Sequence, residues 1–124
     1  MKRLVVWFDV PVLDLDRAIT FYSALLGEEV LKQDMGGGFT MGLLPGEEEV
    51  FGGCLYVSDE TKPTDQGTML YFNVEGRLRA AVDAALANGG TLRTDVEQIG
   101  PWGYRAIVLD SEGNRISLHS PTAS

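Results

Sequence analysis

The chain carries one histidine, His119, and one cysteine, Cys54, and that scarcity bounds its chemistry. A single thiol excludes an intrachain disulfide framework and any multi-cysteine zinc site. A single imidazole cannot give the pair of histidines that a two-histidine, one-carboxylate iron centre needs from one chain. Among the carboxylates, Asp9 stands apart. It interrupts the β-branched and aromatic run Leu4-Val5-Val6-Trp7-Phe8-Asp9-Val10, where strand propensity disfavours it, so it either pairs with Arg115 or has a functional role. The run Gly36-Gly37-Gly38 lacks the strand-to-helix context that a phosphate cradle requires and reads as a loop. Glu47-Glu48-Glu49 reads as a solvated turn.

These residues must be positioned by elements legible in the spacing. The run Leu4–Val10 is the first strand, closed by Pro11. Asp14 is the expected N-cap of a helix whose stripe is Leu15, Ala18, Ile19, Tyr22 and Leu26, ended by Gly27. Strands are expected near 29–33, 38–44 and 51–57. The same plan follows again: a strand at 68–74, a helical stripe of Leu78, Ala81, Val82, Ala85 and Leu86, a stop at Asn88-Gly89-Gly90, and strands near 91–95, 103–109 and 115–119. Asp110-Ser111-Glu112-Gly113-Asn114 is a hairpin turn. The stretch 58–66, with Lys62-Pro63 inside it, is the connector, and the tail 121–124 is expected to fray.

The two halves correspond. A shift of 63 carries Leu15, Ala18 and Ile19 onto Leu78, Ala81 and Val82, and Gly27 onto Gly90. A shift of 62 carries Trp7, Phe8, Val10 and Val12 onto Met69, Leu70, Phe72 and Val74. The reading is an α+β chain of one domain over 1–124, built of two tandem βαβββ modules at about 1–58 and 67–120. Each is too small to be comfortable alone and is stabilised by the other.

That plan, with the strings Val12-Leu13-Asp14-Leu15-Asp16-Arg17-Ala18-Ile19-Thr20-Phe21-Tyr22, Leu26-Gly27 and Asp110-Ser111-Glu112-Gly113-Asn114-Arg115-Ile116, resembles the vicinal oxygen chelate superfamily of glyoxalases, bleomycin-resistance proteins and extradiol dioxygenases. The resemblance implies a curved, cup-shaped, eight-stranded mixed sheet with helices on its outer face. It also implies a homodimer and a metal held by ligands on the first and last strand of each module. In this chain those four positions fall at Trp7, Cys54, Met69 and Ser117. Glyoxalase- or dioxygenase-type chemistry needs two or three His/Glu ligands around a divalent ion. An indole, a thioether and a hydroxyl do not supply that field. Cys54 and Met69 are soft donors suited to Cu(I) in principle, but such residues more often fill a core or pocket. No metal and no cofactor are expected.

Side chains two apart on a strand share a face. If those four positions face the cup, so do Val5, Asp9, Gly52, Tyr56, Tyr71, Asn73, Arg115 and His119, while Val6, Phe8, Val10, Leu55, Val57, Leu70, Phe72, Val74, Ile116 and Leu118 face the helices. The expected site has aromatic and apolar walls of Trp7, Cys54, Tyr56, Met69 and Tyr71. Asp9, Asn73, Arg115, Ser117 and His119 would orient a ligand, and Trp102 and Tyr104 would cover the mouth. The duller readings are that Trp7 fills the volume of a missing metal site, that His119 is a surface residue, and that Tyr56 and Tyr71 pack across the seam between halves.

A net charge of −8, from 10 basic and 18 acidic residues, argues against a nucleic-acid binder and favours a cationic ligand. No apolar run is long enough for a membrane span, and the start does not read as a signal peptide. The expected location is the cytoplasm. The expected function is metal-free binding of a small molecule, in sequestration or sensing. The alternatives are an enzyme using Asp9, His119 and the two tyrosines for acid–base chemistry, or a glyoxalase- or dioxygenase-related enzyme with an unrecognised metal site.

Overall fold

The computed structural model describes residues 3–47 and 50–124. Met1, Lys2, Glu48 and Glu49 lie outside the described residues. Eight strands and two α-helices form two modules: β1 (Phe8–Pro11), α1 (Leu15–Leu26), β2 (Leu31–Asp34), β3 (Thr40–Leu44) and β4 (Gly53–Tyr56), then β5 (Tyr71–Asn73), α2 (Leu78–Ala87), β6 (Thr91–Gln98), β7 (Tyr104–Leu109) and β8 (Arg115–Ser120). Each module is a four-stranded mixed sheet, ordered β1-β4-β3-β2 and β5-β8-β7-β6. In each, the first and last strands run parallel and the others antiparallel. The eight strands are therefore divided between two sheets that do not close into a barrel.

The internal repeat is visible in the backbone bonds. Val12 N–H donates to the Tyr56 carbonyl at 2.8 Å, and Val74 N–H donates to the His119 carbonyl at 2.9 Å, so the same bond closes the first strand of both modules.

Helix α1 begins where the sequence places it. The Asp14 side chain accepts from Arg17 N–H, and Gly27 ends the helix in the left-handed region with φ 70°. Its buried face is Ala18, Phe21, Tyr22 and Leu25. Phe21 and Leu25 fall outside the expected stripe because α1 packs on two surfaces, its own sheet and α2. On α2, Leu78, Ala81, Val82 and Ala85 are buried, whereas Leu86 is exposed.

One core serves both modules. Phe8 of β1 meets Phe72 of β5 edge to face at 5.9 Å between ring centroids, and Tyr22 of α1 lies 5.6 Å from the same ring. Burying side chains of this size contributes roughly 1.5–3 kcal/mol each. At Gly90 the modules are in close contact: an added Cβ would stand 2.9 Å from the Phe21 ring of the first module and 2.8 Å from two carbonyl oxygens of the second.

The turn at 110–114 joins the modules by polar contacts. Glu112 Oε1 accepts from the N–H groups of Leu13 and Asp14 at the start of α1, and its carboxylate takes two bonds from Arg17. The second module thus supplies an anion to the amino end of the first module's helix. Arg77 acts at the other end, donating to the Leu25 carbonyl at 2.9 Å.

The first strand is shorter than its composition suggests. Leu4, Val5, Val6 and Trp7 precede β1 and are 99%, 59%, 68% and 41% exposed. Val6 does not face the helices. Strand-forming residues adopt a strand only where a neighbouring edge pairs with them, and β4 pairs β1 from Phe8 onward.

Candidate functional site

Val10, Leu55, Phe72, Ile116 and Leu118, expected to face the helices, are buried in the core, but Cys54 and Ser117, expected on the opposite face, are buried as well. Val57, also expected to face the helices, follows the end of β4 and is exposed. Tyr104, expected near the mouth, packs against the core instead, because its strand register turns it inward.

In the first module the parallel ladder sets Asp9 directly beside Cys54. Asp9 Oδ1 accepts from the Trp7 indole N–H at 2.9 Å and from the Cys54 thiol at 3.3 Å. Burial, followed by the Asp9 carboxylate, pushes the Cys54 thiol up to about 12. Asp9 does not pair with Arg115; among the described residues that pair is absent from the ion pairs, and Arg115 donates to the Gly67 carbonyl at 3.2 Å. Tyr56 is bonded to Thr61 rather than to Tyr71.

In the second module, register aligns Asn73, His119, Arg105 and Glu97 in one row across all four strands. Arg105 bonds to Glu97 at 2.9 Å and to the Tyr71 hydroxyl, with its guanidinium 5.9 Å from the Tyr71 ring centroid. Glu97 first, then the Tyr71 hydroxyl, hold the Arg105 guanidinium above its ordinary value. His119 Nε2 lies 2.5 Å from the Trp102 carbonyl. A carbonyl only accepts, so in this contact Nε2 carries the proton.

Trp102 ends a single 3-10 turn, Gly100–Trp102, in a stretch expected to be a loop. Its indole is 73% exposed. With Tyr71, Asn73, Ile99 and His119 it forms an open cleft of about 360 Å³. Gly103 makes that turn possible: its φ is 100°, and an added Cβ would stand 2.6 Å from the Ser120 carbonyl oxygen.

The expected site residues therefore fall into separate groups. Trp7, Asp9 and Cys54 form one, and Tyr71, Asn73, Trp102 and His119 form another. Asp9 and Arg115 line a third space at the module seam. Met69 is half-buried beside β5. Ser117 is fully buried, its hydroxyl donating to the Ala106 carbonyl at 3.3 Å. Arg105 and Glu97 were missed, although alternation from Gly103 along β7 places Arg105 on the open face.

The donors at the four ligand positions do not fit a divalent metal. The indole N–H of Trp7 is a donor only, the Cys54 thiol stays protonated, the Met69 thioether is a soft donor suited to Cu(I) rather than a divalent ion, and the Ser117 hydroxyl is committed to the backbone. Among the described residues no group of three His, Cys, Asp or Glu side chains could hold an ion. No helix among them is long and apolar enough to cross a membrane.

The family model described as the glyoxalase/bleomycin resistance protein/dioxygenase superfamily matches residues 4–118. No curated protein matches the sequence. A glyoxalase/bleomycin resistance protein from Albidiferax ferrireducens is 21% identical, with a TM-score of 0.74 over 95% of this chain and 98% of that one. The fosfomycin resistance protein FosX from Listeria monocytogenes is 12% identical, with a TM-score of 0.69 over 97% and 94%. The crystal structure of UcmS2 is similar at 27% identity, with a TM-score of 0.65 over 96% and 98%.

Proposed function

Because this chain belongs to the glyoxalase/bleomycin resistance protein/dioxygenase superfamily, we propose that it is a metal-free member that binds a small aromatic or cationic molecule. The Trp102 cleft carries this reading. An indole left largely open to solvent, in one cleft with Tyr71, Asn73 and His119, offers an aromatic face beside hydrogen-bonding side chains. The net charge of −8 favours cations in approach. Aromatic faces attract them on contact.

The acid–base alternative draws on Asp9, His119 and the two tyrosines, with Asp9 and His119 as its carboxylate and imidazole. They lie with different clusters, which favours binding over turnover. A homodimer is part of the proposal. The apolar residues Leu4, Val5, Val6 and Trp7 lead into an edge strand and have no partner strand among the described residues, the situation in which a second chain pairs.

The test is a calorimetric and fluorescence screen of aromatic cations, glycopeptide antibiotics and uncharged aromatic controls, with and without chelator. The expected result is a saturable hit that chelator leaves unchanged and that Trp102→Ala weakens at least tenfold. Silence across the panel, or binding abolished by chelator, would overturn the reading.

A further inference from the structure

The side chains of the Trp102 cleft are unbalanced in their hydrogen-bonding groups. Asn73 has an acceptor end and a donor end, but the acceptor is in use. Its Oδ1 takes the Glu75 N–H at 3.0 Å, so the amide Nδ2 is the end left for a ligand. Arg105 turns Tyr71 the same way. A guanidinium only donates, so in the contact between them the phenol oxygen accepts and its own O–H stays unspent. Trp102 adds an indole N–H, which also only donates.

These groups are within reach of a ligand. Tyr71 and Asn73 lie two apart on β5, on one face, and both are exposed, as Trp102 is. Against three donors stands His119 Nδ1, an acceptor only while the ring is neutral, since the Nε2 proton is spent on the Trp102 carbonyl. A cationic ligand either donates as well or carries no hydrogen-bonding group, and leaves the donors unmatched. Its electrostatic advantage is small at contact. The net charge of −8 belongs to the whole chain, and charges farther off than ~10 Å are largely screened at ordinary salt. Beside Tyr71 there is already a cation, the Arg105 guanidinium, 5.9 Å from the ring centroid and paired with Glu97.

Resting on the reading of the Trp102 cleft as the binding site, we propose that its ligand is an uncharged, planar aromatic molecule bearing carbonyl-type oxygens. Those oxygens accept from the Tyr71 O–H and the Asn73 Nδ2–H, and the ring lies against the Trp102 indole. Of the aromatic and cationic classes that reading leaves open, the donor set selects the first. At about 360 Å³ the cleft lies within the ~300–1,000 Å³ of small-molecule sites and takes a fused two-ring body.

The experiment titrates the ¹⁵N-labelled full chain with three fused two-ring probes: coumarin, which only accepts, indole, whose N–H only donates, and N-methylquinolinium, a cation with neither group. The Trp102 Nε1–H and Asn73 Nδ2–H signals are followed. Coumarin is expected to shift both saturably and to bind at least fivefold tighter than either of the others. Tyr71→Phe is expected to narrow that gap at least threefold. If the variant does not fold, the ranking and the Asn73 signal of the wild type decide. Indole or N-methylquinolinium binding as tightly as coumarin, an unmoved Asn73 signal, or a gap that Tyr71→Phe leaves intact would overturn this ligand class and leave the cleft standing as an aromatic site. No shift at Trp102 with any of the three would overturn the cleft itself, and the ligand class with it.

Discussion

The Tyr22 hydroxyl, on the helix of the first module, donates to Asp110 Oδ2 in the second at 2.5 Å, with both residues buried. The same carboxylate accepts from the N–H groups of Glu112 and Asn114 and from the Asn114 amide. It therefore shapes its own turn and holds the helix to it. Burial, and then the Asp110 charge, push the Tyr22 phenol well above its ordinary value, so it remains a donor.

Tyr22→Phe removes that donor and leaves a buried carboxylate oxygen one bond short. The expected cost is about 1–3 kcal/mol, read as a lower urea midpoint at an unchanged slope. A midpoint within error of the wild type would show that the bond contributes nothing net.

Glu112 gives a pH dependence with a definite sign. Burial raises its carboxyl, but the bonds from Arg17, Ser111 and the N–H groups of Asp14 and Leu13 outweigh that and hold it at about 2. A depressed carboxylate contributes stability above its unfolded value near 4.3, and that contribution is lost as pH falls toward 2. With Arg17 half exposed, the contribution is about 2 kcal/mol rather than the full shift. Wild-type stability should drop across pH 4 to 2, and Glu112→Gln should start lower at pH 7 and flatten that drop. Parallel curves for the two proteins would refute the assignment.

Cys54 should be inert while the protein is folded. With the thiol pushed up to about 12, the thiolate fraction at pH 8 is on the order of one in ten thousand. Reaction with a disulfide reagent is expected only on unfolding. Asp9→Asn removes the charge that opposes the thiolate and should speed labelling of the folded chain. Rapid labelling of the folded wild type would contradict the buried thiol–carboxylate contact.

What the sequence made legible was whatever local chemistry and periodicity control. The Asp14 cap, the Gly27 stop and the alternation of Phe72 with Tyr71 and Asn73 needed no tertiary information. The extent of β1 did, because only the reach of β4 decides where the run beginning at Leu4 becomes a strand. The division of the site into separate groups was hidden for a related reason. Alternation says which face a residue takes within its own sheet, and nothing about how one sheet's open face lies relative to the other's. The bond from His119 to Trp102 depends on a 3-10 turn that no apolar period announces.

The exposed segment before β1 makes a prediction about assembly. The full chain is expected to sediment as a dimer at micromolar concentration, and Val6→Asp should shift it toward monomer by placing a charge on the proposed strand edge. Sedimentation as a monomer, or a dimer indifferent to that substitution, would place the contact elsewhere or remove it.

Gly103→Ala separates the geometry of the Trp102 cleft from its composition. At φ 100° an alanine is strained, and its Cβ would stand 2.6 Å from the Ser120 carbonyl, so the backbone must shift. Strain of this kind costs about 1–3 kcal/mol. The shift falls on the residue after Trp102, so the carbonyl bonded to His119 Nε2 should move with it. The variant should therefore lose stability and also weaken aromatic ligands, though every side chain lining the cleft is kept. A variant that loses stability yet binds as tightly as the wild type would show that the cleft tolerates a misplaced indole, and that Trp102 does not orient the ligand.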